Sequence, residues 1–204
     1  LTGYYGIYKN FIGFTRIVSP YDATHTAGNP EDNIIAGYYQ PLQTWVNSQG
    51  KVPSWGGVAS VSYYAGKGIT PYVNYTYADL NDNNISNNQL TVLSGFNTPK
   101  HKVNIGLNAN RVWKGLGFSA NWKWVTSYQW ESPFANGIVP SYHTLDLQIY
   151  YEVPKAYSTI RVGGSNIYNN RHIEAVGSPE IGALYYVAYS FDLGDLKKHS
   201  KPTQ

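Results

Sequence analysis

The chain has 204 residues with no cysteine and no methionine; aromatics make up 16%, with 20 Tyr and 6 Trp, against 13% charged residues and a formal net charge of +3. The missing cysteines exclude a disulfide scaffold and thiolate metal sites, and the scattered Lys and Arg leave no footprint for nucleic acid. A mean hydropathy of −0.38, with no run near the roughly 18 apolar residues a membrane helix needs, excludes helical spanning but not a spanning sheet.

The length suits one sizeable β domain or a piece of a larger one, and Leu1 in place of Met predicts a removed leader or a longer parent chain. From Leu1 to about Phe14 the residues read as a strand rich in Tyr and Gly, with Tyr5 and Ile7 on one face and Tyr4 and Tyr8 on the other. Thr15 to Gly37, carrying Pro20, Gly28 and Pro30, reads as a long loop. Tyr38 to Gly66 reads as one very long strand kinked near Gly50 to Pro53. The competing reading, a hairpin at Ser48 to Gly50, would place the long first loop on the same side as the short turns.

After a tight turn at Gly66, Lys67 and Gly68, the segment Ile69 to Leu80 alternates, with Val73, Tyr75 and Tyr77 opposite Tyr72, Asn74 and Thr76. An Asn-rich loop over Asp79 to Thr98 follows. Lys102 to Val112 sets Val103, Ile105, Leu107 and Ala109 against Asn104, Gly106 and Asn108. A short turn at Lys114 and Gly115 leads to Phe118–Glu131, whose even positions carry Phe118, Trp122, Trp124, Tyr128 and Trp130 and whose odd positions carry Ser119, Asn121, Lys123, Gln129 and Glu131. One face of that strand suits lipid and the other suits water.

Ser132 to Pro140 reads as a loop, Tyr142 to Val153 as a two-faced strand, Pro154 to Ala156 as a short turn and Tyr157 to Tyr168 as a strand. Asn169 to Gly182 is a further loop, Ala183 to Leu193 the last strand, and residues 194–204 a polar, basic tail expected to be disordered. The strands are joined alternately by short turns and long loops. That sorting predicts an all-β fold, an antiparallel transmembrane β-barrel segment of about eight strands with short periplasmic turns and long extracellular loops. A soluble lipocalin-type barrel would need the aromatic faces to point inward and has no reason to sort its loops by length.

Three passages carry a resemblance: GFNTPKHKVNIGL at Gly95–Leu107, GGSNIYNN at Gly163–Asn170, and GSPEIGALYYVAYSF at Gly177–Phe191. Together they resemble the C-terminal part of TonB-dependent outer-membrane receptors. The spacing of Gly163, Asn166, Ile167, Tyr168 and Asn169 is similar to that family's penultimate-strand signature, and WVNSQGK at Trp45–Lys51 resembles a passage that lies there in one long descending strand. The chain departs from the family in continuing past Phe191.

The resemblance implies a bacterial outer-membrane receptor with 22 strands around an N-terminal plug, energised by TonB, of which residues 1–193 are the C-terminal barrel portion. Its implied partners are outer-membrane lipid, the plug and remaining strands, TonB acting through the plug, and a small-molecule or oligosaccharide substrate such as a ferric siderophore, a corrinoid or a glycan. A self-contained eight-stranded barrel with a structural or adhesive role is the alternative; its interior would be filled by side chains, so Lys123, Asp146, Gln148 and Glu152 would have to pair inside it.

No cofactor, metal site or catalytic set is expected. The five histidines, His25, His101, His143, His172 and His199, share no metal-ligand spacing, and the Asp79–Asn84 run fails as a calcium loop at Asn84 and Leu90. Ser141, His143 and Asp146 are close in sequence, but alternation puts Asp146 on the face opposite Ser141 and His143. The outward Trp and Tyr suit an aromatic girdle. Substrate contacts are expected instead near the long-loop ends, from Trp130, Phe134, Tyr142, Arg171 and His172, because aromatics and Arg suit small polar ligands.

Overall fold

The structure, a computed structural model, describes residues 1–20, 39–47, 50–81, 96–132 and 135–192. Eight strands form one antiparallel sheet: β1 (Thr2–Lys9), β4 (Lys51–Ser62), β5 (Ile69–Leu80), β6 (His101–Trp113), β7 (Leu116–Val125), β10 (Tyr142–Val153), β11 (Ser158–Ser165) and β12 (Leu184–Phe191). They pair in the order β1-β4-β5-β6-β7-β10-β11-β12. The sheet is open, with β1 and β12 at its edges, so these strands form part of a barrel wall and not a closed eight-stranded barrel. Two ribbons extend beyond it: β2 (Ile12–Pro20) with β3 (Tyr39–Asn47), and β8 (Tyr128–Glu131) with β9 (Asn136–Val139).

The register turns the alternation of single strands into two continuous faces. Val73, Ile105, Trp122 and Leu145 pair in a row across β5, β6, β7 and β10, and the adjacent row is Asn74, Asn104, Lys123 and Thr144. The apolar face stays uncovered, with Ile149 at 57% and Val187 at 75% exposure, as suits contact with lipid. The main strands β4, β5, β6 and β10 have 12 or 13 residues, enough for the roughly 9 to 11 a tilted strand needs to cross a bilayer.

On the polar face, tyrosines lie over glycines that pair with them across the ladder: Tyr4 over Gly56, Tyr72 over Gly106, Tyr150 over Gly117 and Tyr186 over Gly163. A side chain at any of these glycines would fall inside the ring. Three of the rings then reach a polar neighbour. The hydroxyls of Tyr72, Tyr150 and Tyr186 donate to Asn121 Oδ1 (3.0 Å), Asn110 Oδ1 (3.1 Å) and Gln148 Oε1 (2.9 Å). Part of the tyrosine-rich composition thus serves the wet face.

The short connections share one end of the sheet. Gly66, Lys67 and Gly68 all have positive φ (84°, 50° and 75°), as do Lys114 and Gly115 (44° and 89°) between β6 and β7. Positive φ at both central residues of a two-residue loop is the primed turn that matches strand twist. A single 3-10 turn, Pro154–Ala156, joins β10 to β11. The predicted short turns are therefore real, and the long connections all lie at the other end.

Several boundaries differ from expectation. Thr15 to Pro20 is strand, not loop: β2 pairs with β3 from Ile12↔Asn47 to Pro20↔Tyr39. Tyr38 to Gly66 does not fold back on itself, since β3 pairs with β2 and β4 with β1, but it is interrupted between Asn47 and Lys51. Phe118 to Glu131 is likewise two strands. Lys102 and Tyr142 both pair with Val125 near the starts of β6 and β10; Thr126 still bonds His101, and beyond it the chain leaves the wall and β8 pairs with β9 instead. Part of the expected Ser132–Pro140 loop is therefore strand. The strand expected to reach Tyr168 ends at Ser165, because Asn166 takes a left-handed φ of 50°. The tail at 194–204 lies outside the described residues.

Candidate functional site

The end of the polar face nearest the long connections carries Lys123 on β7 and Tyr142, the first residue of β10. The connection from Asn166 to Ala183 is folded back over them by asparagines. Asn166, almost fully buried, donates its backbone N–H to Asp146 Oδ1 (2.9 Å) and its side-chain amide to the Asn170 carbonyl (3.0 Å), while its Oδ1 accepts the Asn170 N–H (3.1 Å). Asn169, also left-handed at φ 52°, accepts the Ala183 N–H at 3.0 Å, and Asn170 Nδ2 donates to the His143 carbonyl at 2.9 Å. The Asn tolerance for left-handed backbone, with its capacity to bond locally, explains why three asparagines occur in NIYNN.

This folding places the His172 ring on the Tyr142 ring, with centroids 4.1 Å apart and planes 16° from parallel. Glu174 follows. Its Oε1 accepts the Tyr142 hydroxyl (2.9 Å) and lies 3.3 Å from Lys123 Nζ and 3.8 Å from His172 Nε2. Its backbone carbonyl accepts the Tyr128 hydroxyl at 2.7 Å, which ties the β8–β9 ribbon to the same loop. Lys123 Nζ also lies 5.2 Å from the Tyr142 ring centroid, within cation–π range.

Burial alone would push the Glu174 carboxyl up. The Tyr142 hydrogen bond and the charges of Lys123 and His172 outweigh it, so the carboxyl titrates below the usual glutamate value. Tyr128 is raised, first by burial and then by the Glu174 charge. Chemically, the arrangement is two donors, the Tyr142 hydroxyl and the Lys123 ammonium, on one carboxylate oxygen, with the His172 ring edge 3.8 Å away, a site for an oxyanion.

The structure brings together Tyr142 and His172 from the sequence-predicted set. Trp130 pairs with Gly137 on the ribbon, on the same strand face as Tyr128, so it borders the cluster. Arg171 lies 3.8 Å from Glu180, both well exposed, and among the described residues no side-chain contact joins it to the cluster. Phe134 lies outside the described residues. Sequence reasoning missed Tyr128 and Glu174, and placed Lys123 on the wet face without a partner. A loop glutamate carries no periodic signal that could have paired it with a wall lysine. His143 pairs with Trp124 on the apolar face and Asp146 with Asn121 on the polar face, so no His–Asp relay forms there.

A second concave feature lies at the short-turn end, a cleft of about 780 Å³ lined by Arg111, Glu152, Lys155, Tyr157, Thr159 and Asp192 among others. Arg111 and Glu152 form an ion pair across it at 2.7 Å.

Residues 1–167 match the family model described as TonB dependent receptor-like, beta-barrel. The chain belongs to the TonB-dependent receptor β-barrel family. Solved structures of similar fold include the copper transporter OprC (TM-score 0.62, 15% identity, covering 93% of this chain and 28% of that one). The ferric-catecholate import receptor Fiu from K12 E. coli is similar at TM-score 0.51 and 16% identity, over 72% of this chain and 22% of that one. FpvA from P. aeruginosa, solved with heterologous pyoverdines, is similar at TM-score 0.53 and 14% identity, over 90% of this chain and 23% of that one. No curated protein sequence matches significantly. The chain thus spans about a quarter of the length of these three proteins.

Proposed function

We propose that the chain supplies the C-terminal wall, over residues 1–193, and several extracellular loops of a bacterial outer-membrane TonB-dependent receptor. Such a receptor imports a scarce nutrient of the ferric siderophore, corrinoid or glycan class. The observation that carries this reading is the open, two-faced sheet: a lipid-compatible outside, a hydrated inside and edges that call for further strands. A wide barrel hydrates the inward Lys123, Asp146 and Gln148, which a narrow one could not. An N-terminal plug fills that interior and couples substrate release to TonB. The wall residues contribute shape and polar contacts, with no chemical step.

The site at Trp130, Tyr142 and His172, with Lys123 and Glu174, faces the outer entrance and meets substrate first, and Phe134 and Arg171 add further substrate contacts. Uptake of a labelled nutrient by cells producing the full-length receptor tests the reading. Accumulation that stops when TonB is inactivated supports it. Equal accumulation with and without TonB would overturn it.

A further inference from the structure

Glu174 is held as a bound ligand would be. Its single oxygen Oε1 faces the Tyr142 hydroxyl at 2.9 Å, Lys123 Nζ at 3.3 Å and His172 Nε2 at 3.8 Å, all at the entrance side of the wall. Tyr142 and His172 are nearly buried, so they are fixed in place, whereas the Glu174 side chain is 46% exposed and can be exchanged from solvent. Lys102 lies in the same row of the polar face, paired with Val125 as Tyr142 is, and its side chain makes no hydrogen bond or ion pair among the described residues. Lys102 and Lys123 thus lie on neighbouring strands of the polar face at this corner, and Lys123 faces Glu174, while Asp146 is occupied by the Asn166 backbone.

We propose that Lys123, Tyr142 and His172, with Lys102 beside them, form an oxyanion site for a carboxylate-bearing ligand, and that Glu174 occupies it as a resident stand-in. A ligand carboxylate takes the place of Oε1, with no bond made or broken beyond hydrogen bonds. The Asn166–Ala183 loop and the β8–β9 ribbon, tied together through Tyr128 and the Glu174 carbonyl, then lose their shared anchor. Binding at the wall is thereby linked to opening of the loops above it. This inference rests on the proposed reading of the polar face as the receptor interior.

The geometry makes opposite demands on two variants, which a purely structural latch would not. Glu174→Ala removes the competitor, so succinate should bind the full-length receptor about tenfold more tightly, the scale of one charge-assisted hydrogen-bonded competitor. Lys123→Gln should abolish the binding. Calorimetric titration with succinate, and with uncharged succinamide as the control, reads both. In a Val176→Cys receptor, succinate should speed thiol alkylation at position 176, because the Val176 side chain lies over Gly137 of the ribbon and opening uncovers it.

Succinate binding that is undetectable in Glu174→Ala, or unchanged by Lys123→Gln, would overturn the proposal, as would equal binding of succinamide. Unaltered alkylation by saturating succinate would overturn the coupling. These outcomes are independent of TonB: a receptor that binds succinate as described but accumulates nutrient without TonB would refute only the transport reading.

Discussion

Tyr142 and His172 stack at 4.1 Å, although one opens a wall strand and the other lies in the connection beyond the next strand. That single contact, with the Glu174 carboxylate at its edge, fixes the position of the loop relative to the barrel wall. Loops of this length are ordinarily mobile; here one is fastened.

Tyr142→Ala removes both the stack and the donor, and should raise tryptic cleavage after Arg171 in the folded receptor by about tenfold or more. Tyr142→Phe keeps the ring and loses only the hydroxyl, at a cost of about 1 kcal/mol. Cleavage rates followed by mass spectrometry should rank wild type, Phe and Ala in that order. Equal rates for all three would show that the loop is held elsewhere.

The attachment should depend on pH with a definite sign. The folded-state carboxyl of Glu174 titrates below the ordinary 4.5, so its contribution is complete above that value and is lost as pH falls through the lowered one. The mobility of a spin label at position 178, introduced by Ser178→Cys, should be flat near neutrality and rise in acid. Glu174→Gln should make it high and nearly independent of pH over the same range.

Tyr72 and Gly106 form a matched pair on the polar face, with no room for a Cβ under the ring. Gly106→Ala should destabilise the barrel by about 1–3 kcal/mol through overpacking. In the Tyr72→Ala background the same change should cost much less. A double-mutant cycle from urea unfolding in detergent gives the coupling, and additivity would contradict the contact.

The two faces should answer differently to charge. Leu147→Arg puts a cation on the outward face near mid-strand, at a cost of about 2–4 kcal/mol if that depth is the bilayer centre. Ser119→Lys, on the inward face, should fall within about 0.5 kcal/mol of wild type. Unfolding free energies in lipid vesicles measure both, and a reversed order would exchange the faces.

How far the sequence could be read follows from what each level encodes. Alternation along Ile69–Leu80, Lys102–Val112 and Tyr142–Val153 assigned the two faces correctly because period two is a property of one strand. The turn at Lys114 and Gly115 was legible because its conformation is set by local sterics. Strand ends were not. Phe118 to Glu131 alternates without a break, yet β7 stops at Val125, near the starts of the neighbouring strands β6 and β10. Thr15 to Pro20 carries loop-like residues but pairs with β3, since pairing depends on a partner that local propensity does not register.

By itself, the sequence determined the fold class, the direction of each face and the sorting of connections by length, all of which rest on local periodicity and turn chemistry. Only the tertiary structure decided which strands leave the wall, that the eight wall strands stay open as a sheet, and that Glu174 reaches Lys123, Tyr142 and His172. Those outcomes depend on register between distant segments. In the loop, where no repeat constrains the side chains, the left-handed turns at Asn166 and Asn169 decide what meets what.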